Sequence, residues 1–232
     1  MNILAFDTCF DACSVAAGRG LRSLTPSIAT AFEPMTTGHV ERLMPMIESV
    51  MASAGLLFSS VNRIAVTTGP GTFTGTRIAV SAARALALAT GAPIVTLSSL
   101  ALMAMNPAVP AGKGRTITMA TDARRGEVYM QRFDRHTLKP LAAPAIVAIA
   151  DAAEALGAGP HVIAGSGAAM LAAAACAQGV DAEAILPELL PDALDMLFAS
   201  SEFPIAMTVA PLYLRAPDAK PPAASLLARA GA

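Results

Sequence analysis

Residues able to hold an anion are concentrated in one stretch, Thr67 to Ala79, which reads TTGPGTFTGTRIA. Gly69, Pro70, Gly71 and Gly75 fall within seven residues there, with Thr72 and Phe73 between them. The stretch follows an apolar strand-like run, Arg63 to Val66, and leads into an alanine-rich helical run that reaches about Thr90. Glycine permits positive φ and lets another backbone or a ligand come close, and Gly-Pro-Gly is turn chemistry. A tight turn that exposes the N–H groups opening a helix is also an anion cradle. The pattern is neither G-x-x-x-x-G-K-[ST] nor G-x-G-x-x-G, so the usual phosphate fingerprints are absent. A structural turn and a nucleotide site both remain open, with the turn favoured.

Other reactive side chains are sparse. His39, His136 and His161 are far apart in sequence, and Cys9, Cys13 and Cys176 form neither a metal nor a redox spacing. No metal site is expected, and the three cysteines are expected as small buried hydrophobes. No G-x-S-x-G elbow occurs. His39 stands beside Glu41 and Arg42 at the start of a helical run. A catalytic histidine needs an orienting partner and a substrate in reach, so a helix-end or interface role is the simpler expectation.

The elements that must carry these residues follow from periodicity. Ile3 to Asp7 reads as a buried strand with Ala12 to Ala17 as its hairpin mate, Arg19-Gly20 as the next turn, and a third strand within Leu21 to Ala31. Val40, Leu43, Met44, Ile47, Val50, Met51 and Ala54 recur at helical spacing. Thr36 or Thr37 is the expected cap, Gly55 the stop, and Pro45 an interruption inside. Strand Arg63 to Thr67, a helix from about Gly75 to Thr90, and strand Ile94 to Leu97 complete an α/β alternation. Asn106 to Gly114, rich in Pro and Gly, is the expected lobe boundary. Beyond it come strands Thr116 to Thr121, Glu127 to Asp134 and about Ile146 to Ile149, then helix Asp151 to Leu156, strand His161 to Ala164 and helix Ala168 to Ala177. A hairpin-led α/β unit thus occurs twice, which divides the chain into 1–105, 106–215 and a Pro/Ala-rich tail, 216–232, expected to be mobile as far as Ser225.

The 232 residues suffice for two sizeable cores. Hydrophobic residues make up 54% at a formal net charge of −1, and the mean hydropathy of +0.56 comes mostly from alanine. The long uncharged stretches are broken by Gly, Pro, Ser, Thr or Asn, so no membrane span is expected. MNILAFDT lacks a basic n-region, which makes the expected location cytoplasmic. Near-neutral charge with three lysines speaks against unaided nucleic-acid binding. Arg115, Arg124, Arg125, Arg132 and Arg135 form a modest cluster, read either as an RNA contact within a complex or as a solvated face.

Ordered blocks along nearly the whole chain resemble the TsaB family. The glycine stretch resembles that family's GPGSFTG-[VLT]-RIG signature, and ILAFDTCFDACSVA (3–16) its opening ILAIDTA…ACSVAL. HVERLMPMI (39–47), DARRGEVY (122–129) and APLYLR (210–215) resemble three further blocks. The resemblance implies a reduced form of the two-lobed actin/sugar-kinase/Hsp70 (ribonuclease H-like) architecture with a small second lobe. It implies a non-catalytic, cofactor-free subunit that dimerises with a TsaD-type catalytic subunit for threonylcarbamoyladenosine formation at tRNA adenosine 37. A TsaE-type ATPase docks on the pair, tRNA is met only through the complex, and the subunit can form homodimers alone. The place of the catalytic paralogue's histidine pair reads TLSSLALMAM (96–105), without histidine.

In the wider superfamily, an acid where Asp7-Thr8 ends the first strand helps to hold Mg²⁺ and phosphate, a task that suits an acid and a hydroxyl. The alternative is that Asp7 satisfies turn amides. Asp122 is the second-lobe counterpart and carries the same ambiguity, while Gly165-Ser166-Gly167 stands in place of the adenosine-side loop. Together these would make a vestigial nucleotide site, and a small ATPase or sugar kinase is the rival reading; a peptidase lacks its ligands. The Gly75–Thr90 helix is apolar nearly all round, so it is either ordinary core or needs an external cover. The resemblance favours the latter and points to His39, Leu43, Met46, Ile47 and Val50 on the first helix, with Arg77, Val80, Ala83, Arg84 and Leu88 on the second, as the partner interface. The segment after Arg215 lacks the more polar tail the family often shows.

Overall fold

The computed structural model describes residues 1–109, 116–200 and 203–215. Part of the expected 106–114 boundary, Arg115 and the tail from Ala216 lie outside the described residues. Two five-stranded sheets organise the rest. The first holds β1 (Ile3–Asp7), β2 (Ala12–Arg19), β3 (Ser27–Pro34), β4 (Arg63–Thr67) and β5 (Ile94–Leu97) in the order β3-β2-β1-β4-β5. The second holds β6 (Thr116–Arg124), β7 (Glu127–Asp134), β8 (Ala145–Ala148), β9 (His161–Ala164) and β10 (Ala182–Ile185) in the order β8-β7-β6-β9-β10. In each, three antiparallel strands continue into two parallel ones. This duplicated α/β topology is that of the actin/sugar-kinase/Hsp70 superfamily.

Burial explains the central strands. β1 is covered on both faces and all five of its residues are buried, so it reads as a continuous apolar run. β3 is an edge strand with one face covered: Ala29 and Ala31 pack inward, while Ile28, Thr30 and Phe32 face out. That alternation places β3 later than the expected 21–31 window.

Helix α1 (His39–Ala54) and helix α2 (Phe73–Thr90) cover one face of the first sheet through Leu43, Met46, Ile47, Met51, Ala79 and Ala83. Neither Thr36 nor Thr37 caps α1. Gly38 does, in the left-handed region at φ 88°, without a side-chain bond. Gly55 ends the helix as expected, and α1 continues through Pro45, which is exposed. Proline offers no N–H to the carbonyl four residues back. In the second lobe α4 (Ala152–Leu156) and α5 (Ala168–Ala177) cover the equivalent face. Cys176, on α5, is exposed, in contrast to Cys9 and Cys13; α5 turns Ala168, Leu171, Ala172 and Ala175 inward, and Cys176 lies off that stripe.

Three further elements were not expected from the sequence: α3 (Ser99–Ala104), α6 (Ala193–Ala199) and β10. The first two join the lobes by exchange. α6, from the end of the second lobe, packs Ala193, Met196 and Leu197 on the first sheet's free face, against Ile3, Ala5, Ala16 and Val95. α3, from the end of the first lobe, packs Leu100, Met103 and Ala104 against Ile117, Met119 and Phe133 of the second sheet. Polar bonds follow the same crossings. Ala193 N donates to Ser14 Oγ at 2.7 Å, Asn106 Nδ2 to Asp195 Oδ2 at 2.9 Å, and Ser98 Oγ to Gln131 Oε1 at 2.9 Å. α3 thus lies in the chain before residue 106 and α6 after it, and each packs on the sheet built from the other part of the chain.

Met196 is fully buried in this shared core. Met196→Ala should cost about 2–5 kcal/mol and lower the stability of both lobes together. Urea unfolding of the variant, followed by far-UV circular dichroism and by the environment of Tyr129 in the second lobe, should give coincident transitions at a lower midpoint.

Candidate functional site

β1 and β4 run in parallel and end side by side, which brings Asp7 next to Thr67. Asp7 is completely buried. Thr67 Oγ1 donates to its Oδ2, and the Cys9 amide donates to its Oδ1 at 3.1 Å. Burial pushes the Asp7 carboxyl up to about 6, with the Thr67 and Cys9 bonds opposing that rise. The Cys9 thiol, 3.3 Å from Thr67 Oγ1, is raised well above its ordinary value by burial and by Asp7. A thiol held protonated is a poor nucleophile. Both Asp7 oxygens are engaged inside the wall of the lobe, one by the Cys9 amide and the other by the Thr67 hydroxyl.

The glycine turn explains why that wall is closed. A β-carbon on Gly71 would run into the carbonyl oxygen of Cys9, and one on Gly75 into that of Thr8. Only glycine allows two backbones to meet this closely. The Thr72 amide donates to Cys9 O at 2.7 Å, Thr8 Oγ1 donates to Gly75 O at 2.7 Å, and the Gly75 amide donates to its own N-cap, Thr72 Oγ1, at 3.1 Å. Gly69 takes φ 103° and joins Pro70 through a cis bond. Two amides of the turn, those of Thr72 and Gly75, are thus spent on the β1–β2 turn and on the helix cap.

The second lobe repeats the arrangement with weaker material. A β-carbon on Gly165 would come within 2.5 Å of Ala120 O, and one on Gly167 within 2.7 Å of Val128 Cγ1. Asp122 is exposed, and its Oδ1 accepts from the Arg124 amide at 2.7 Å. It serves a turn at its own hairpin, and among the described residues no bond joins it to Asp7. Among the described residues, too, no three His, Cys, Asp or Glu side chains gather as a metal site requires. His39, at the start of α1, is buried, with Nε2 3.0 Å from Phe10 O.

The expected interface residues divide by face. Leu43, Met46, Ile47, Val50, Val80 and Ala83 are buried in the first lobe's own interior, whereas Arg77, Arg84 and Leu88 are exposed. The stripe at helical spacing is the one the sheet covers, which leaves a different set outside. Between α1 and α2 runs an open groove of about 570 Å³, lined by Val40, Met44, Phe73, Arg77, Ile78 and Ala82 among others. Val40 and Met44, four apart, and Ile78, Ala82 and Ala85 form second stripes rotated from the buried ones. A helix apolar on two sides carried that signal in the sequence.

One end of the groove is finished by the chain's last described residues. Ile205 bridges Val95, and the Leu212 amide donates to Thr68 O at 2.7 Å. Tyr213 stacks on Phe73 with ring centroids 5.4 Å apart. Arg77 lies 3.7 Å from the Phe73 ring centre and donates through Nε to Tyr213 Oη at 2.7 Å. Arg215 then pairs with Glu127 at the start of β7. The blocks 3–16, 39–47, 69–79 and 210–215, remote in sequence, thus meet around the turn and the groove, and Arg215 ties them to block 122–129 through Glu127.

A model of the family "TsaD: tRNA N6-adenosine threonylcarbamoyltransferase" matches residues 33–219. The Pseudomonas aeruginosa YeaZ structure superposes with a TM-score of 0.75 at 30% identity, covering 92% of this chain and 99% of that one. The TsaB protein of Escherichia coli K12, a "tRNA threonylcarbamoyladenosine biosynthesis protein", is 36% identical over 135 residues. The chain belongs to the TsaB family. The alignment to that relative takes in 58% of this chain and 56% of the relative, so little more than half of the E. coli protein's length is matched. An uncharacterized Mycobacterium tuberculosis protein is 33% identical over 95% of this chain and 94% of its own length. In this TsaB-family chain the strand-end acid is enclosed, and an apolar groove between α1 and α2 is open.

The enclosed acid has a measurable consequence. Asp7 ionises in the unfolded chain near its ordinary 3.8 and in the folded one near about 6. Between those values the native state binds more protons, so stability falls as pH rises and levels off above about 6. The loss from this group is on the order of 3 kcal/mol. Asp7→Asn can keep both the Thr67 and Cys9 contacts without a charge. It should therefore be more stable than the parent at pH 7, and most of the fall between pH 4 and 6 should vanish in denaturant titrations across that range.

Proposed function

We propose that this chain is a non-catalytic subunit that binds and activates a TsaD-type catalytic partner, which forms threonylcarbamoyladenosine at adenosine 37 of tRNA. The observation that carries the reading is the pairing of two features in one lobe. The strand-end position of a nucleotide-handling superfamily is packed shut, and an apolar groove beside it stands open. Two helices that expose Val40, Met44, Phe73 and Ile78 across a groove accept a complementary helix pair, whose apolar face would cover them. Methionine adapts to such a contact, and Arg77 and Arg84 frame it with charge. The same surface lets two copies pair when the catalytic subunit is absent.

Activation then follows from linkage. A subunit with no catalytic group of its own changes a partner's rate only by binding its active arrangement more tightly than its idle one. In this reading the complex, not this chain, meets tRNA, and a TsaE-type ATPase docks on the pair. The whole assembly works in the cytoplasm. No helix among the described residues is long and apolar enough to cross a membrane.

The groove is tested with side chains that face it. Met44→Glu, at a site 39% exposed, should leave the fold intact and weaken association with the same organism's TsaD-type subunit by about tenfold to a hundredfold, read by calorimetry or light-scattering size exclusion. Val80→Glu, at a site 3% exposed, should unfold the lobe and serves as the contrast. Undiminished binding by folded Met44→Glu would move the interface off this groove.

A further inference from the structure

The α1–α2 groove carries one sign of charge on each rim. Glu41 and Glu48, seven apart and both exposed, stand on α1 beside the Val40–Met44 stripe. Arg77 and Arg84, also seven apart and exposed, stand on α2, where Arg77 meets Tyr213 on the side away from α1. Seven residues make close to two turns, so each pair shares one side of its helix. Among the described residues none of the four has an ion-pair partner. The only other charge on either helix is Arg42, which turns to β3 and is paired with Glu33. From outside, Arg19 reaches only the last turn of α1, where its Nε donates to Ala54 O at 3.2 Å.

The two helices run the same way. β3, β4 and β5 all share the direction of β1, and each helix returns from the end of one such strand to the start of the next. Glu41 and Arg77 therefore stand near the N-terminal end of the groove, and Glu48 and Arg84 about two turns further on.

We propose that this pattern is a pairing code for a second copy of the chain. The copies meet groove to groove about a two-fold axis that runs along the groove, so that α1 of each lies over α2 of the other. Glu41 then stands opposite the second copy's Arg77, and Glu48 opposite the second copy's Arg84. The inference rests on the reading of the groove as a docking surface, and adds what selects the occupant and its orientation.

Apolar contact is non-directional, so the groove alone accepts one helix pair laid on another either way round. Charge does not. A two-fold axis along the groove exchanges its rims and keeps each level, which sets four pairs of opposite charge across the contact. An axis across the groove would lay α1 on α1 and α2 on α2, acid on acid and base on base. Like charges set opposite one another suppress the wrong arrangement. Helices about 24 and 27 Å long make a small contact by the standard of stable dimers. The self-paired form is therefore weak, dissociates on dilution, and yields its surface to a tighter partner.

Sedimentation equilibrium at low salt reads the code with substitutions at Glu48 and Arg84, which are exposed and hold no bond among the described residues. The parent should dimerise, and more weakly as salt rises. Glu48→Lys alone and Arg84→Glu alone should each self-associate about tenfold more weakly, because two attractions become two repulsions. An equimolar mixture of the two variants should pair as tightly as the parent, since opposite charges then face each other at both places. A parent that stays monomeric up to its solubility limit overturns the proposal, as does a mixture no tighter than either variant alone. Glu48→Lys pairing more tightly than the parent would do so too, because that is what α1 lying on α1 requires. Met44→Glu separates the code from the groove, and should abolish self-association. Self-association that responds to Met44→Glu but to neither charge variant removes the code and leaves the groove; a dimer indifferent to Met44→Glu puts the pairing on another surface. A code obeyed in full by a protein that binds no TsaD-type subunit sinks the partner reading alone.

Discussion

Everything near the functional face depends on two backbones being allowed to touch. Gly71 and Gly75 let the turn after β4 lie directly on the carbonyls of Cys9 and Thr8, a separation that any side chain would prevent. That contact fixes where α2 begins, because the Thr72 cap is bonded to Cys9. It also shuts Asp7 away from solvent and sets the angle at which α2 lies beside α1. The groove is therefore a downstream product of the turn. A larger residue at either glycine would displace the helix, and with it the second apolar stripe that the groove needs.

The same contact separates two uses of a common architecture. In a lobe built to handle nucleotide, an acid at the first strand's end and a glycine-rich turn opposite it should face a cleft. Here the acid is buried deeply enough to ionise near pH 6, and the Thr72 and Gly75 amides of the turn are already bonded within the protein. With this place enclosed, the open apolar groove lies on the lobe's outer helices, α1 and α2. The second lobe keeps the same plan with shorter helices, and its glycines pack on β6 in the same manner.

Much of this was legible in the residues. Strong period-2 and period-3.6 patterns gave β1, α1, β4, α2, β7, β9 and α5 within a few residues, because long or fully buried elements leave an unambiguous stripe. Short elements in alanine-rich surroundings were not visible. AEAI in β10 has little strand preference, and SLALMA in α3 lies inside an uncharged stretch where any period fits. α6 did carry a signal, Asp192 ahead of an apolar run, and the structure uses it: its side chain accepts from the Leu194 amide at 2.9 Å. The site was legible as motifs but not as faces. An alternation of apolar residues tells that a helix is covered, not which side its own sheet covers: Leu43, Met46 and Val80 are buried, whereas Val40 and Met44 lie open at the groove. The role of Tyr213 needed the fold, since its partners Phe73 and Arg77 are far away in sequence.

The exchange of α3 and α6 has a bearing on how the protein is made. The first sheet consists of residues 3–97, yet the helix that covers its second face is residues 193–199. A ribosome delivers the sheet long before its cover. During that interval Ile3, Ala5, Ala65 and Val95 lack the cover of Ala193, Met196 and Leu197, and such transiently bare apolar surface is what makes nascent chains aggregate. The first lobe cannot finish folding ahead of the second, so the order of synthesis is not the order of completion. A nascent chain stalled before residue 193 should be a client for chaperones, and release of its last elements the step that ends that dependence.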